Sequence, residues 1–172
     1  MRAATEALVL LARVRAGEAD DARAAIDEHW SAGESPFAAV PGTHLGRLQV
    51  LRPPARRGRR GTREHVLLAA DADAPLRAWL ERLRTAAGPQ LDAVFSHCAF
   101  YPGAAGAAAF GRWVSANRLA VGFSVIGSPR ATLAEVSEAL ALRDELGAFA
   151  ERTQRMDPAA LHAAWREWRS GR

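Results

Sequence analysis

Lysine is absent from the 172 residues, and cysteine and tyrosine occur once each, as Cys98 and Tyr101. A single cysteine excludes an intramolecular disulfide and any multi-cysteine zinc or iron–sulfur site. All 23 basic residues are therefore arginine, and six of them crowd into LRPPARRGRRGTRE at positions 52, 56, 57, 59, 60 and 63. The other seventeen face nineteen acidic residues. A surface that tracks nucleic acid spreads positive charge over a face, because each neutralised phosphate adds affinity. One local patch does not meet that requirement, and arginine in place of lysine, with abundant alanine and glycine, fits the codon usage of a GC-rich bacterial genome. Long hydrophobic runs are missing as well. The run ALVLLA is six residues long, is followed by Arg13 and Arg15, and has no small-residue cleavage site after it. It is too short for a membrane span or a signal-peptide core. The expectation is a cytoplasmic protein with neither nucleic acid nor membrane among its partners.

What is present is enough apolar residue, 49% of the chain, for one well-buried core. Residues 7–14 alternate as a strand with one face buried and the second partly covered. ADDARAAIDEHW follows with acidic residues suited to a helix N-terminus and Ala22, Ile26 and Trp30 at helical spacing. HLGRLQVL (44–51) and EHVLLAADA (64–72), joined by the arginine-rich loop, predict an antiparallel hairpin. Leu76, Trp79, Leu80 and Leu83 mark a helix that Gly88-Pro89 should break, with LDAVFSHCAF resuming beyond it. A third helical piece carries Phe110, Trp113 and Val114, and LAVGFSVIGSP (119–129) reads as a last strand. Thr132 with Glu135 predicts a capping box, and Asp157-Pro158 a further helix start with Leu161, Trp165 and Trp168 on one stripe.

The order β-α-β-β-α-β followed by helices predicts an α+β, ferredoxin-like sandwich: a four-stranded antiparallel sheet with helices on one face. Residues 1–150 are expected to form that domain and 151–172 a helical tail. The first strand is apolar on both sides, so the second face needs a cover. A second copy stacked on it would make a homodimeric α+β barrel; the tail helices are the alternative cover.

EALVLLARVRAGE, PGTHLGRLQVL, VLLAADADAPLRAWLERL and LDAVFSHCAFYPG together resemble a bacterial family of ferredoxin-like domains associated with heme peroxidase-like proteins. Its members carry an HFAR-type second strand, a strand of the type LLFxSNFDG and an HCxGYP-type helix end. The resemblance runs from about residue 6 to 150, is most specific at SHCAFYPG, and implies the same fold and heme as a candidate cofactor. His44-Leu45-Gly46-Arg47 and Ala70-Asp71-Ala72-Asp73 depart from the pattern by losing large side chains. A pocket is expected to open where those side chains are missing.

Candidate chemistry gathers at few residues. His97 and Tyr101 share a face if the helix continues through them, so that His97 reads as a general base or heme ligand, Tyr101 as a proton donor and Cys98 as a nucleophile or pocket wall. Against this, no partner acid lies nearby in the sequence, and a crowded helix end explains the same residues. His44 at the sheet's rim is a candidate base. Arg47 is a candidate for binding a carboxylate or enolate oxygen, or else for a cross-strand ion pair with Asp71 or Asp73. His65 is expected to face His44. Two histidines without a third ligand make a metal site improbable. The arginine-rich loop suits a solvated hairpin tip better than a phosphate site, and the tail tryptophans suit docking rather than base stacking.

Two functions stay open. One is an enzyme of bacterial secondary metabolism acting on a hydrophobic small molecule, with His44, His97, Tyr101 and Arg47 as catalytic residues and His65, Cys98, Phe95 and Phe123 lining the pocket. Its chemistry would be cofactor-free cyclisation or isomerisation, with a heme-dependent, peroxidase-like oxidation as the alternative. The other is a noncatalytic ligand-binding or dimerisation module.

Overall fold

A computed structural model describes residues 5–30, 35–52, 63–122 and 130–171. Among them the chain runs β1 (Thr5–Arg13), α1 (Ala19–Trp30), β2 (Thr43–Leu51), β3 (His65–Asp73), α2 (Leu76–Phe95), α3 (Ala107–Asn117), α4 (Leu133–Thr153) and α5 (Pro158–Ser170). The strands form an antiparallel sheet in the order β1-β3-β2. Of the expected last strand, residues 123–129 lie outside the described ones, as does the basic loop from 53 to 62. On the edge of β1 away from β3, Leu10 makes an antiparallel bridge with Arg118, and the Leu119 N–H donates to the Val9 carbonyl (2.8 Å).

The period of two in β3 decides which side of the sheet carries the core. Val66, Leu68, Ala70 and Ala72 are buried, as are Leu8, Leu10 and Ala12 of the paired strand, whereas the odd-numbered residues between them are half-buried. Trp79, Leu83, Leu91, Phe95, Phe110 and Val114, from α2 and α3, fill the even-numbered side. Trp79 is fixed in angle as well as depth: its indole N–H donates to Thr43 Oγ1 (2.8 Å), whose hydroxyl donates to the Val40 carbonyl (2.7 Å). Burying an indole while satisfying its one donor removes the usual penalty for a polar atom in a core.

Gly88-Pro89 was expected to break a helix that resumes beyond it, and α2 is indeed two helical pieces meeting at a kink. Backbone angles leave the helical region only at Ala87 (φ −124°, ψ 23°), and α2 continues to Phe95. Proline in the first turn of a helical piece lacks only an N–H that has no partner there anyway, so Pro89 restarts the helix rather than stopping it.

The pocket expected over Gly46 is filled. A Cβ built on Gly46 would stand 2.4 Å from the ring of Phe37, which is buried and tilted against Trp30 at 4.8 Å. The missing side chain of β2 is thus replaced by one from the connection before it, a substitution of packing partners that local sequence cannot reveal.

The chain falls into two compact units, Met1–Leu133 and Ala134–Arg172, and almost all of α4 lies in the second. The reason lies in its partners: Phe149 of α4 contacts Trp165 (5.7 Å) and Trp168 (5.8 Å) of α5, and the two indoles stack at 5.0 Å. The α5 start is as expected, with the Asp157 side chain accepting from the N–H groups of Ala159 and Ala160.

Gly46→Ala is expected to lower stability by about 1–3 kcal/mol, the usual cost of overpacking, and a urea midpoint will measure it. Adding Phe37→Leu should recover part of the loss; a Gly46→Ala protein as stable as the parent would contradict the close approach of Phe37.

Candidate functional site

At the end of the sheet where β1 begins, three strands bring polar groups together. A bulge between Thr43 and Leu45 takes His44 out of the regular alternation of β2. Its ring reaches across to the last residue of β3, with Nε2 at 2.7 Å from Asp73 Oδ1 and 3.5 Å from Thr5 Oγ1. The His44 and Asp73 side chains are 20% and 18% exposed. Facing an ionised carboxylate, Nε2 carries the hydrogen of the neutral ring, so Nδ1 holds the lone pair. Among the described residues no hydrogen-bond partner meets Nδ1.

Asp73 is itself held in place. Its Oδ1 also accepts the backbone N–H of Leu133 (3.1 Å), and its own N–H donates to the Gly42 carbonyl (2.8 Å). Gly42 has φ +80°, and a Cβ there would come within 2.8 Å of Asp73 Oδ2. Only glycine therefore gives both the turn and the close approach.

The remaining candidates do not converge on this pair. Arg47 is exposed, lies opposite Ala69 and donates to Gln49 Oε1 (3.2 Å); it makes no ion pair with Asp71 or Asp73, because His44 occupies Asp73. His65 pairs in register with Leu51 and Arg13, at the other end of the hairpin from His44. Hairpin connectivity dictates this separation, since the loop joins residue 51 to residue 65. Phe123 lies outside the described residues.

His97 is also at that far end. Residues 97–99 run beside the end of β1: the Arg15 N–H donates to the His97 carbonyl (2.9 Å), the Ala99 N–H to that of Arg13 (2.8 Å), and Val14 bridges Cys98. Along the nine residues of β1, at ~3.3 Å each, this lies about 30 Å from Thr5. His44 and His97 therefore belong to different sites. The His97 Nδ1 meets Glu18 Oε2 at 3.0 Å, although the two are 79 positions apart. Glu18 Oε2 is at the same time 2.8 Å from Arg15 Nη2, so its charge is already matched.

Tyr101 faces elsewhere, because α2 ends before it and Phe100 has φ +57°. The Tyr101 hydroxyl donates to Asp92 Oδ1 (2.6 Å) and accepts from Arg84 (3.1 Å). Arg84 makes a two-pronged pair with Asp92 (2.7 and 3.0 Å) and also donates to the carbonyls of Gly88 (3.2 Å) and Gly103 (3.1 Å). Burial pushes the Tyr101 phenol up, and its hydrogen bond to Asp92 adds to that. Burial alone would raise the Asp92 carboxyl, but hydrogen bonds from Arg84 and Tyr101 and the Arg84 charge outweigh it and hold it below the ordinary value. Phe95 is fully buried against Trp113 (5.1 Å) and Tyr101 (5.8 Å). The buried Cys98 thiol is pushed up to about 12, chiefly by burial and further by Glu18 against an opposing effect of Arg15, so it holds its proton at neutral pH. The motif SHCAFYPG thus divides among three destinations: an acid just before the first helix, the core, and a partly buried ion pair.

Comparison with protein-family models, with curated proteins and with solved structures finds no match. Among the described residues no three His, Cys, Asp or Glu side chains gather to hold a metal, and no helix is long and apolar enough to cross a membrane. Heme needs an apolar slot on the ligating side of a histidine. His97 backed by Glu18 has the right second partner, but the groove described between α2 and α3 is lined by no histidine. That groove therefore offers heme no histidine ligand.

Four residues of these networks were missed from sequence: Thr5, Glu18, Arg84 and Asp92. Long-range folding brings Thr5 to His44 and Glu18 to His97, whereas Arg84 and Asp92 meet across the bend of α2. Since Asp92 is held below its unfolded value, its contribution to stability is full above about pH 4 and is lost as pH falls through the folded value. Asp92→Asn is expected to cost about 1–3 kcal/mol at neutral pH, and to flatten the fall of the urea midpoint below about pH 4. Identical acid limbs for the two proteins would contradict the pairing.

Proposed function

We propose that the chain is a small-molecule enzyme that carries out cofactor-free proton transfer, an isomerisation or cyclisation, on a hydrophobic substrate, with His44 as the general base. The observation that carries this reading is the His44–Asp73 contact of 2.7 Å at the rim of the odd-numbered sheet face. A carboxylate on one ring nitrogen orients the imidazole and stabilises the cation it becomes, while the other nitrogen is available to take a proton. Thr5 and Asp73 are register partners on that face, and Val9, Leu11, Leu67 and Ala69 continue it as a half-buried apolar floor.

The reading takes the domain as ferredoxin-like, supported by the bridge between Leu10 and Arg118 on the edge where a fourth strand would pair. It takes a second copy as the cover of the odd-numbered face, since a substrate pocket there needs a roof. His97, Tyr101, Cys98 and Phe95 become supports of the fold in this reading, and His65 a residue of the far end.

Deuterium wash-in next to the carbonyl of a panel of cyclic apolar ketones, followed by NMR in D2O, tests the chemistry. Acceleration by the protein is expected, with His44→Gln reducing it by about 10²- to 10⁴-fold. If no ketone exchanges faster with protein than with buffer, or if the variant matches the parent, the proposal fails. Sedimentation tests the roof: the parent is expected to be dimeric, and Leu67→Arg, which puts a charge in the middle of the apolar face, monomeric. A monomeric parent would sink the face-to-face arrangement.

A further inference from the structure

The even-numbered side of the sheet has a concavity of its own, separate from the His44–Asp73 pair. A groove of about 840 Å³ runs between the first turns of α2 and the length of α3. Leu76 and Phe110 close its bottom, Leu80 forms one wall, and the exposed Ala108 stands at its lip. This is the size and lining of a small-molecule site rather than of a protein-docking face.

Its charges are unevenly satisfied. Arg77 and Glu81 answer each other at 3.3 Å. Arg112 on α3 and Arg118 just beyond it have no carboxylate within ion-pair distance among the described residues; Arg118 makes one hydrogen bond, to the Ala7 carbonyl (3.2 Å). The only other carboxylate lining the groove is Glu6. Two guanidiniums against one carboxylate leave the groove positive beside an apolar floor. Guanidinium groups recognise carboxylates through paired N–H donors, which an isolated point charge does not offer.

We infer that this groove binds a small amphipathic carboxylate, with its head at Arg112 and Arg118 and its aliphatic chain along Leu80 and Phe110. The ligand class follows from the combination: an apolar floor selects the chain, and the unmatched guanidiniums select the head.

Decanoate, titrated into the full chain and followed by amide chemical shifts, is the probe. Saturable shifts confined to α2 and α3 are expected, with affinity about tenfold weaker for decanol and for Arg112→Gln. Ala108→Trp, a change at an exposed position, should fill the lip and abolish binding, while His44→Gln should leave it unchanged, so that this site and the catalytic proposal fail separately. Absence of saturable shifts, shifts that map to other elements, decanol binding as tightly as decanoate, or an affinity indifferent to both groove variants would each overturn the inference.

Discussion

The strict alternation of β3, hydrogen-bonded along both edges, is the constraint from which the first unit is built. With a strand on either side, its backbone pairs along both edges, the Asp73 N–H at its end going to the Gly42 carbonyl, and its side chains have only two directions to take. Even-numbered positions are Val, Leu, Ala and Ala, all buried, and so draw α2 and α3 onto one face. Odd-numbered positions begin with His65 and end with Asp73, so each end of the strand carries a polar group on the opposite face. A shift of one residue in register would exchange these sets and bury both. The placement of Asp73 beside Thr5 and His44 is thus a consequence of core packing, reached before any question of chemistry arises.

The second support is the ion pair of Arg84 and Asp92, which spans the bend in α2. Arg84 lies before the bend and Asp92 after it, and the guanidinium also reaches the carbonyls of Gly88 and Gly103. One side chain therefore fixes both the angle between the helical pieces and the turn that follows them. Pairing of this kind gives little net stability compared with apolar contact, but leaving either partner alone is costly, which favours one geometry over its neighbours. Phe95, Tyr101, Phe110 and Trp113 pack edge-on and tilted around it, so the aromatic cluster and the ion pair constrain the same turn.

Elements whose physics is local were legible in the sequence: the alternation of β1 and β3, the stripe of α2, the Asp157 cap and the hairpin. What stayed hidden was set by contacts across long separations. Gly46 suggested empty space, and Phe37 occupies it. His97 had no acid within its own segment, and Glu18 supplies one from the connection between β1 and α1. His44 had no stated acid partner, and one bulged residue brings it to Asp73. The pairing of His65 with His44, in contrast, was excluded by connectivity alone, because residues flanking a hairpin loop meet each other and not the strand ends.

These corrections reverse the ranking of the two histidines. SHCAFYPG holds more reactive side-chain types than any other stretch, yet each is committed: the thiol to the core, the phenol to Asp92, the imidazole to a carboxylate already shared with Arg15. The buried thiol and the bonded phenol stabilise the fold, whereas His97, like His44, has one ring nitrogen on a carboxylate and no hydrogen-bond partner for the other among the described residues. His44 stands in a less crowded stretch, but among the described residues its carboxylate partner meets no arginine and one ring nitrogen has no hydrogen-bond partner. A general base needs one nitrogen held and the other available, which both histidines offer; what favours His44 is that the carboxylate of His97 already pairs with Arg15, and so the less conspicuous histidine is the better candidate.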